Sequence, residues 1–267
     1  MTERRQTPGV AIRLLAAAIV AVAIALLLRG VGARDRNARN TGSSAGDARL
    51  PKVALIIDDF GYVDESSVRG FLSLGVPITV AVLPYQRFSA YSADAAHRAG
   101  MDVLLHLPME GGAGSNPGPD ALLSTLTERE LRARARSALG AVPHIIGANN
   151  HMGSAITADS ARMRWILEEL AREPRIFVDS RTTNRSVGES LARRLGIPSA
   201  SRNVFLDNDK TPAAIARQWE RGLRLAERSG SAIVIGHVYP ETLAALRDLV
   251  ARTRGRVEFV GVSALVH

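Results

Sequence analysis

From residue 51 onward, short β-rich apolar runs alternate with amphipathic stretches, and a glycine stands shortly before most of the runs. That alternation constrains the fold more than any other feature. A strand, a crossover helix and a second strand return the chain to the same sheet edge, so the repeat dictates right-handed βαβ units and a parallel sheet. Runs of strand character cover 53–57, 78–83, 103–107, 144–148, 175–178, 232–235 and 257–260, with a weaker one at 199–204. Between them apolar residues recur at three- and four-residue spacing, clearest at Ile215, Trp219, Leu223 and Ala226 and at Leu243, Leu246 and Val250. This is the period of a helix with one buried face. Thr127 to Glu130 forms a capping box, and Thr211 followed by Pro212 marks a second helix start. Gly75, Gly100, Gly140, Gly196, Gly230 and Gly255 fall where left-handed helix ends are expected. Seven or eight such units close into a barrel, and an open doubly wound sheet fits the same pattern. In both, functional side chains gather where strands end, at the C-terminal edge of the sheet.

The first 50 residues stand apart from this pattern. Residues 10–28 are apolar except for Arg13, without interruption over 14–28, and a short stretch carrying Arg4 and Arg5 precedes them. Such a run is just long enough to span a bilayer as a helix, so residues 1–28 read as a signal-anchor or a signal peptide. Small residues from Gly30 to Ala33 keep cleavage open. Residues 29–50 mix Arg, Asp, Asn, Gly and Ser with little to bury, which is a flexible tether. The expectation is an exported protein, anchored in the inner membrane or released to the periplasm or beyond, with residues 51–267 as its folded domain.

Charge then excludes one class of partner. The formal net charge is +8, but eight of the 34 Lys and Arg lie before residue 51 against three of the 26 acids there. The remainder is nearly balanced, with Arg and acids interleaved on helical stretches, so nucleic acid is not an expected partner. There is no cysteine. Disulfides and thiolate metal sites are thereby excluded, and any metal must be held by His, Asp or Glu.

Polar residues recur at the expected strand ends. The first run ends in Asp58 and Asp59, the third in His106 and, four residues on, Glu110. The fourth runs into Asn149, Asn150 and His151, the fifth into Asp179, Ser180 and Arg181, and the run after residue 231 into Gly236 and His237. Two adjacent acids at the end of a buried strand are costly unless a cation or a proton transfer compensates, although one of them capping the next helix is a plainer account. Three of the six histidines stand at such ends. Together with the acid pair they point to a divalent ion held by imidazole and carboxylate, a donor set that suits zinc.

These residues carry a resemblance. Asp58 and Asp59 followed by Gly61, the segment 99–106 ending in His106, and the segment 233–237 ending in His237 resemble, in order, motifs of the NodB-type polysaccharide deacetylase domain, most closely its divergent, YibQ-like branch. The resemblance covers residues 52–237 and implies an irregular (β/α) barrel of seven strands. It also implies Asp58 as catalytic base, Asp59 and His106 as metal ligands, and His237 as general acid, with an envelope or exported polysaccharide such as a peptidoglycan-like glycan as substrate. Two features depart from the family pattern. Glu110 replaces the usual second histidine, and Asn149 to Ser154 stands where an Arg-Pro motif is usual. His151 or Glu110 then supplies the third ligand; His151 is preferred because it directly follows a strand and His is the commoner zinc ligand. Asn150 is a further candidate in that segment. Asp179 or Arg181 orients Asp58 or His237, or else forms a structural ion pair. The same departures leave a second reading, a catalytically degenerate protein that binds glycan or an envelope partner. A magnesium-dependent receiver-like domain is disfavoured by the His-rich ends and by the absence of a phosphate-cradling glycine loop. Tyr62, Tyr85, Phe88 and Tyr239 are the candidates for stacking on a sugar.

Overall fold

Nine parallel strands carry the chain in a computed structural model that describes residues 50–267. The predicted anchor and nearly all of the tether lie outside the described residues. Among those described, no helix is long and apolar enough to cross a membrane. The strands are β1 (Lys52–Phe60), β2 (Thr79–Val82), β3 (Asp102–Met109), β4 (Gly147–Met152), β5 (Ile176–Asp179), β6 (Ser199–Ser201), β7 (Val204–Phe205), β8 (Ser231–His237) and β9 (Glu258–Val260). The helices between them are α1 (Glu65–Leu72), α2 (Ser89–Arg98), α3 (Glu128–Ala141), α4 (Ser160–Leu170), α5 (Gly188–Arg194), α6 (Pro212–Ser229) and α7 (Pro240–Thr253).

Hydrogen-bonded neighbours run β6-β5-β4-β3-β2-β1-β8-β7, and β9 pairs with the first residues of β1. The result is a curled (β/α) sheet with a seam between β6 and β7. The resemblance implied seven strands, and the path here has eight because the weak run at 199–204 divides into β6 and β7, separated by Arg202 and Asn203.

Alternation along the strands sorts side chains into two layers. On β1, Val53, Leu55 and Ile57 join the core under the helices, while Ala54 and Ile56 join a second, inner cluster with Ala81, Leu104, Val178, Ile233 and Ile235. The chain end closes that interior from below. Val262 and Leu265, on a 3-10 turn after β9, lie in the inner cluster, and the Val262 and Ser263 amides bond to Thr79 and Asp102 at the starts of β2 and β3. The opposite rim, where strands end, is left for function.

Local signals account for most helix boundaries. Thr127 and Glu130 form the reciprocal capping box of α3, and Thr211 caps α6 with Pro212 in its first turn. Gly75, Gly100, Gly196, Gly230 and Gly255 all hold positive φ. Gly140 differs from the expectation: it lies inside α3, which runs to Ala141 and ends on an extended Val142. The fourth strand also begins later than 144–148. His144 holds a left-handed φ of 62°, and its ring stacks on His97 at 4.1 Å with Nε2 2.8 Å from Asp94.

Candidate metal centre and its flanking acid–base pair

Inner-layer parity continues to the rim. Asp58 follows Ile56 on β1, His106 follows Leu104 on β3, and His237 follows Ile235 on β8, so each points into the mouth of the curled sheet. Asp58 stands opposite His237 in the β1–β8 ladder, and His106 stands opposite Asn149 in the β3–β4 ladder. His151, two residues beyond Asn149, has the same parity.

Asp59 should by alternation face the helices. The β1–β2 register slips between Ile57 and Phe60, and Asp59 sits at that slip with a left-handed φ of 68°. The bulge turns its carboxylate to the side already taken by Asp58. Asp tolerates this backbone region better than most residues because its short side chain bonds locally. Met152 and Arg181, at the ends of β4 and β5, are left-handed as well, with φ of 51° and 52°. Left-handed backbone thus recurs on this rim at the ends of β1, β4 and β5, and such strain clusters at functional sites.

Three donor atoms converge there. Asp59 Oδ1 lies 3.2 Å from His106 Nε2 and 3.0 Å from His151 Nδ1, and the two nitrogens are 3.0 Å apart. Asp59 Oδ1 is buried and accepts no well-aligned hydrogen bond despite these approaches. Among the described residues this is the group of three His or acid side chains arranged to share one ion. A tetrahedral zinc about 2.0–2.1 Å from each ligand holds its ligands about 3.3 Å apart, so the spacing and the N/O donor set fit such an ion.

The surroundings set the charges. Burial pushes Asp59 up, but the flanking His106 and His151 outweigh it and hold the carboxyl well below the usual carboxylate range. Asp58, 1% exposed, is raised by burial, with His106 and His237 only partly offsetting this. Burial lowers His106, yet Asp58 and Asp59 beside it raise it overall. His237 is likewise disfavoured as a cation by burial, but Asp207 and Asp58 hold it at about 9.

Several roles differ from the alternatives open in the sequence. Glu110 stays outside the triad: its Oε2 accepts from the Ser124 amide, and its backbone ties to Leu122 and Ala155. Asn150 is scaffolding, donating to the Met152 carbonyl and accepting from the Ser180 amide. Asp179 orients neither Asp58 nor His237. It has outer-layer parity with Phe177 and accepts from Ser186 Oγ and from the Glu189 and Arg181 amides, so it secures the entry to α5. Arg181 forms no ion pair with Asp179; its amide bonds there and its carbonyl accepts from Arg202.

Two residues do the orienting: Asn149, which the sequence placed at a strand end without a role, and Asp207, which it did not single out. Asn149 Nδ2 donates to Asp58 Oδ1 at 2.8 Å, and Asp207 Oδ1 holds His237 Nδ1 at 2.7 Å while Oδ2 accepts from the His237 amide and from Thr242. Asp207 follows β7, so the strand-end rule applied to the weak run at 199–204 would have found it. Of the aromatic candidates, Tyr239 stacks on the His237 ring at 5.5 Å under the Lys210 ammonium. Tyr62 is half exposed, and its hydroxyl is raised by partial burial and by the nearby Asp59 charge, whereas Tyr85 donates to Ser137 on α3. A surface cleft of about 600 Å³ between residues 171–176 and 195–198 lies where β5 and β6 begin, at the opposite end of the strands from this chemistry.

Comparison with known proteins agrees with this architecture. YibQ of Escherichia coli (strain K12) is 34% identical over 216 residues, spanning 81% of this chain and 67% of that protein. The crystal structure of Agrobacterium tumefaciens protein ATU2773 superposes with a TM-score of 0.77 at 26% identity, over 82% of this chain and 90% of that one. BA3943 from Bacillus anthracis, described as a CE4 family pseudoenzyme, shares the fold at a TM-score of 0.50 and 14% identity, over 81% of this chain and 65% of that one. A family model described as divergent polysaccharide deacetylase matches residues 55–266, and the chain belongs to that family.

Proposed function

We propose that the protein is a metal-dependent deacetylase that removes acetyl groups from an envelope or exported polysaccharide. The observation that carries this reading is the meeting, at one rim, of the Asp59–His106–His151 group with a buried carboxylate and an Asp-paired imidazole. Asp59 Oδ1, His106 Nε2 and His151 Nδ1 would hold the ion, with zinc suited to the donors. Such an ion supplies Lewis acidity, lowering the pKa of water and polarising a carbonyl oxygen.

The chain's own groups supply the proton transfers. Asp58, its carboxyl raised by burial, takes the proton of the attacking water. His237, held protonated at neutral pH by Asp207 and Asp58, delivers a proton to the departing amine or alkoxide. Asp207 accepts from Nδ1, which leaves Nε2 as the atom that gives up the proton. Tyr62 and Tyr239 border the site and suit the apolar face of a sugar ring. Residues 10–28 support export as the setting, which is where an envelope glycan would be met.

The test is acetate release from acetylated glycan oligomers, N-linked and O-linked, by the zinc-loaded full chain. Asp58→Asn should lower turnover by about 10²–10⁴-fold at unchanged zinc content. Zinc bound stoichiometrically with no acetate released from any oligomer would overturn catalysis and leave a glycan-binding protein with this fold.

A further inference from the structure

Asn149 touches both halves of the candidate site. Its Nδ2 lies 2.8 Å from Asp58 Oδ1 and 3.4 Å from Ser180 Oγ, and its Oδ1 lies 2.9 Å from His106 Nδ1. The side chain is completely buried, so water cannot substitute for any of these partners. The ladder pairing of His106 with Asn149 sets the amide beside the imidazole.

The chemistry of the partners fixes the direction of each bond. As the base of the proposed reaction Asp58 acts as a carboxylate, which only accepts, so the amide NH2 faces it, as Nδ2 does here. The carbonyl oxygen is then left facing His106, and because it too only accepts, His106 Nδ1 must carry the proton. In a neutral imidazole this makes Nε2 the lone-pair atom. Nε2 is the atom aimed at Asp59 Oδ1 and His151 Nδ1. Turning the amide over would set its oxygen against the Asp58 carboxylate and lose that bond inside a dry site, whichever tautomer His106 then took.

We propose that Asn149 is a positioning residue that couples the candidate base to the candidate metal centre: held by Asp58, it fixes the Nδ1–H tautomer of His106 and presents Nε2 to a divalent ion. The inference rests on the metal-dependent reading and deepens it. A hydrogen bond to the far nitrogen of a ligating histidine typically governs metal affinity 10–100-fold.

The experiment uses the full chain labelled with ¹⁵N-histidine and loaded with zinc, His106 being assigned by its loss in His106→Ala. Two-bond ¹⁵N–¹H spectra should give His106 as the Nδ1–H tautomer, and a protonated Nε2 in the wild type would overturn the proposal without recourse to any variant at Asn149. Zinc dissociation constants from chelator competition supply the second arm, with thermal melts reporting folding. Asn149→Ala should weaken zinc 10–100-fold. Asn149→Asp keeps an acceptor for His106 but no donor for Asp58, and should retain affinity to within a few-fold. If His106→Ala loses zinc while Asn149→Ala binds it as tightly as the wild type, or if Asn149→Asp falls as far as Asn149→Ala, the coupling is refuted and the metal site stands. Zinc binding that survives His106→Ala, or none in the wild type, overturns the metal-dependent reading and this inference with it.

Discussion

Asp58 and Asp59 are neighbours in sequence yet meet different partners, because one left-handed residue at a register slip turns the second carboxylate toward the imidazoles while the first stays in the ladder position opposite His237. The acid pair was legible, since carboxylates ending an apolar strand need an explanation. The bulge was not, because nothing local distinguishes it from a turn. Parity explains the other misreading at this scale. Asp179 ends a strand as Asp58 does, but one step out of phase, so it serves the helix layer. His237 supplies a test by pH. Its folded-state pKa of about 9 lies above the unfolded value near 6.5, so the stability it contributes is complete below about pH 6.5 and is lost as pH rises through 9. In metal-free protein, denaturant titrations should show the wild type losing on the order of 3 kcal/mol across that window relative to His237→Asn. Parallel pH profiles for the two proteins would show that Asp207 does not hold the imidazole as a cation.

At the scale of elements, the helices and the apolar strands were readable, and the fourth strand was found but its bounds were not. Its sequence, Gly147–Met152, contains two asparagines and a histidine, and none of the three favours a strand. Ladders to β3 and β5 impose the extended backbone on them, so tertiary pairing overrides propensity, and the strand begins three residues later than the apolar run suggested. Gly147 is the entry to that strand. A Cβ there would lie 2.2 Å from the Ile176 carbonyl oxygen and 2.5 Å from its Cγ1, and the obstacle is backbone of the neighbouring strand. Gly147→Ala should therefore separate β4 from β5 and cost about 3 kcal/mol in urea denaturation. It should also weaken zinc, because Asn149 and His151 ride on the same strand. Gly112→Ala, which meets open space, is the control expected to leave both measurements unchanged. A Gly147→Ala protein of normal stability would mean that β4 and β5 can part at that point without loss.

Across the whole molecule, the ends of the sheet are held differently. The lower end is closed by the chain terminus, whose turn buries Val262 and Leu265 and bonds to the starts of β2 and β3. At the rim, the candidate centre joins β1, β3 and β4 through a cluster of like and unlike charges that burial has stripped of water. A divalent ion there would replace a proton shared between imidazoles and carboxylates and would bind the folded chain alone. Stabilisation then follows mass action, about 2.7 kcal/mol at a free zinc concentration one hundred times the dissociation constant. For a domain of this size that corresponds to roughly 5–10 °C in melting temperature. The gain should vanish in His106→Ala and in His151→Ala and should reverse on adding a chelator. Hydrogen exchange locates the effect: zinc should slow backbone amides near residues 58–61, 106–110 and 149–153, leaving the lower ends of the strands unchanged. Slowing confined to the surface pair of His97 and His144 would place the ion on that stack instead, and would remove the metal from the chemistry proposed for Asp58 and His237.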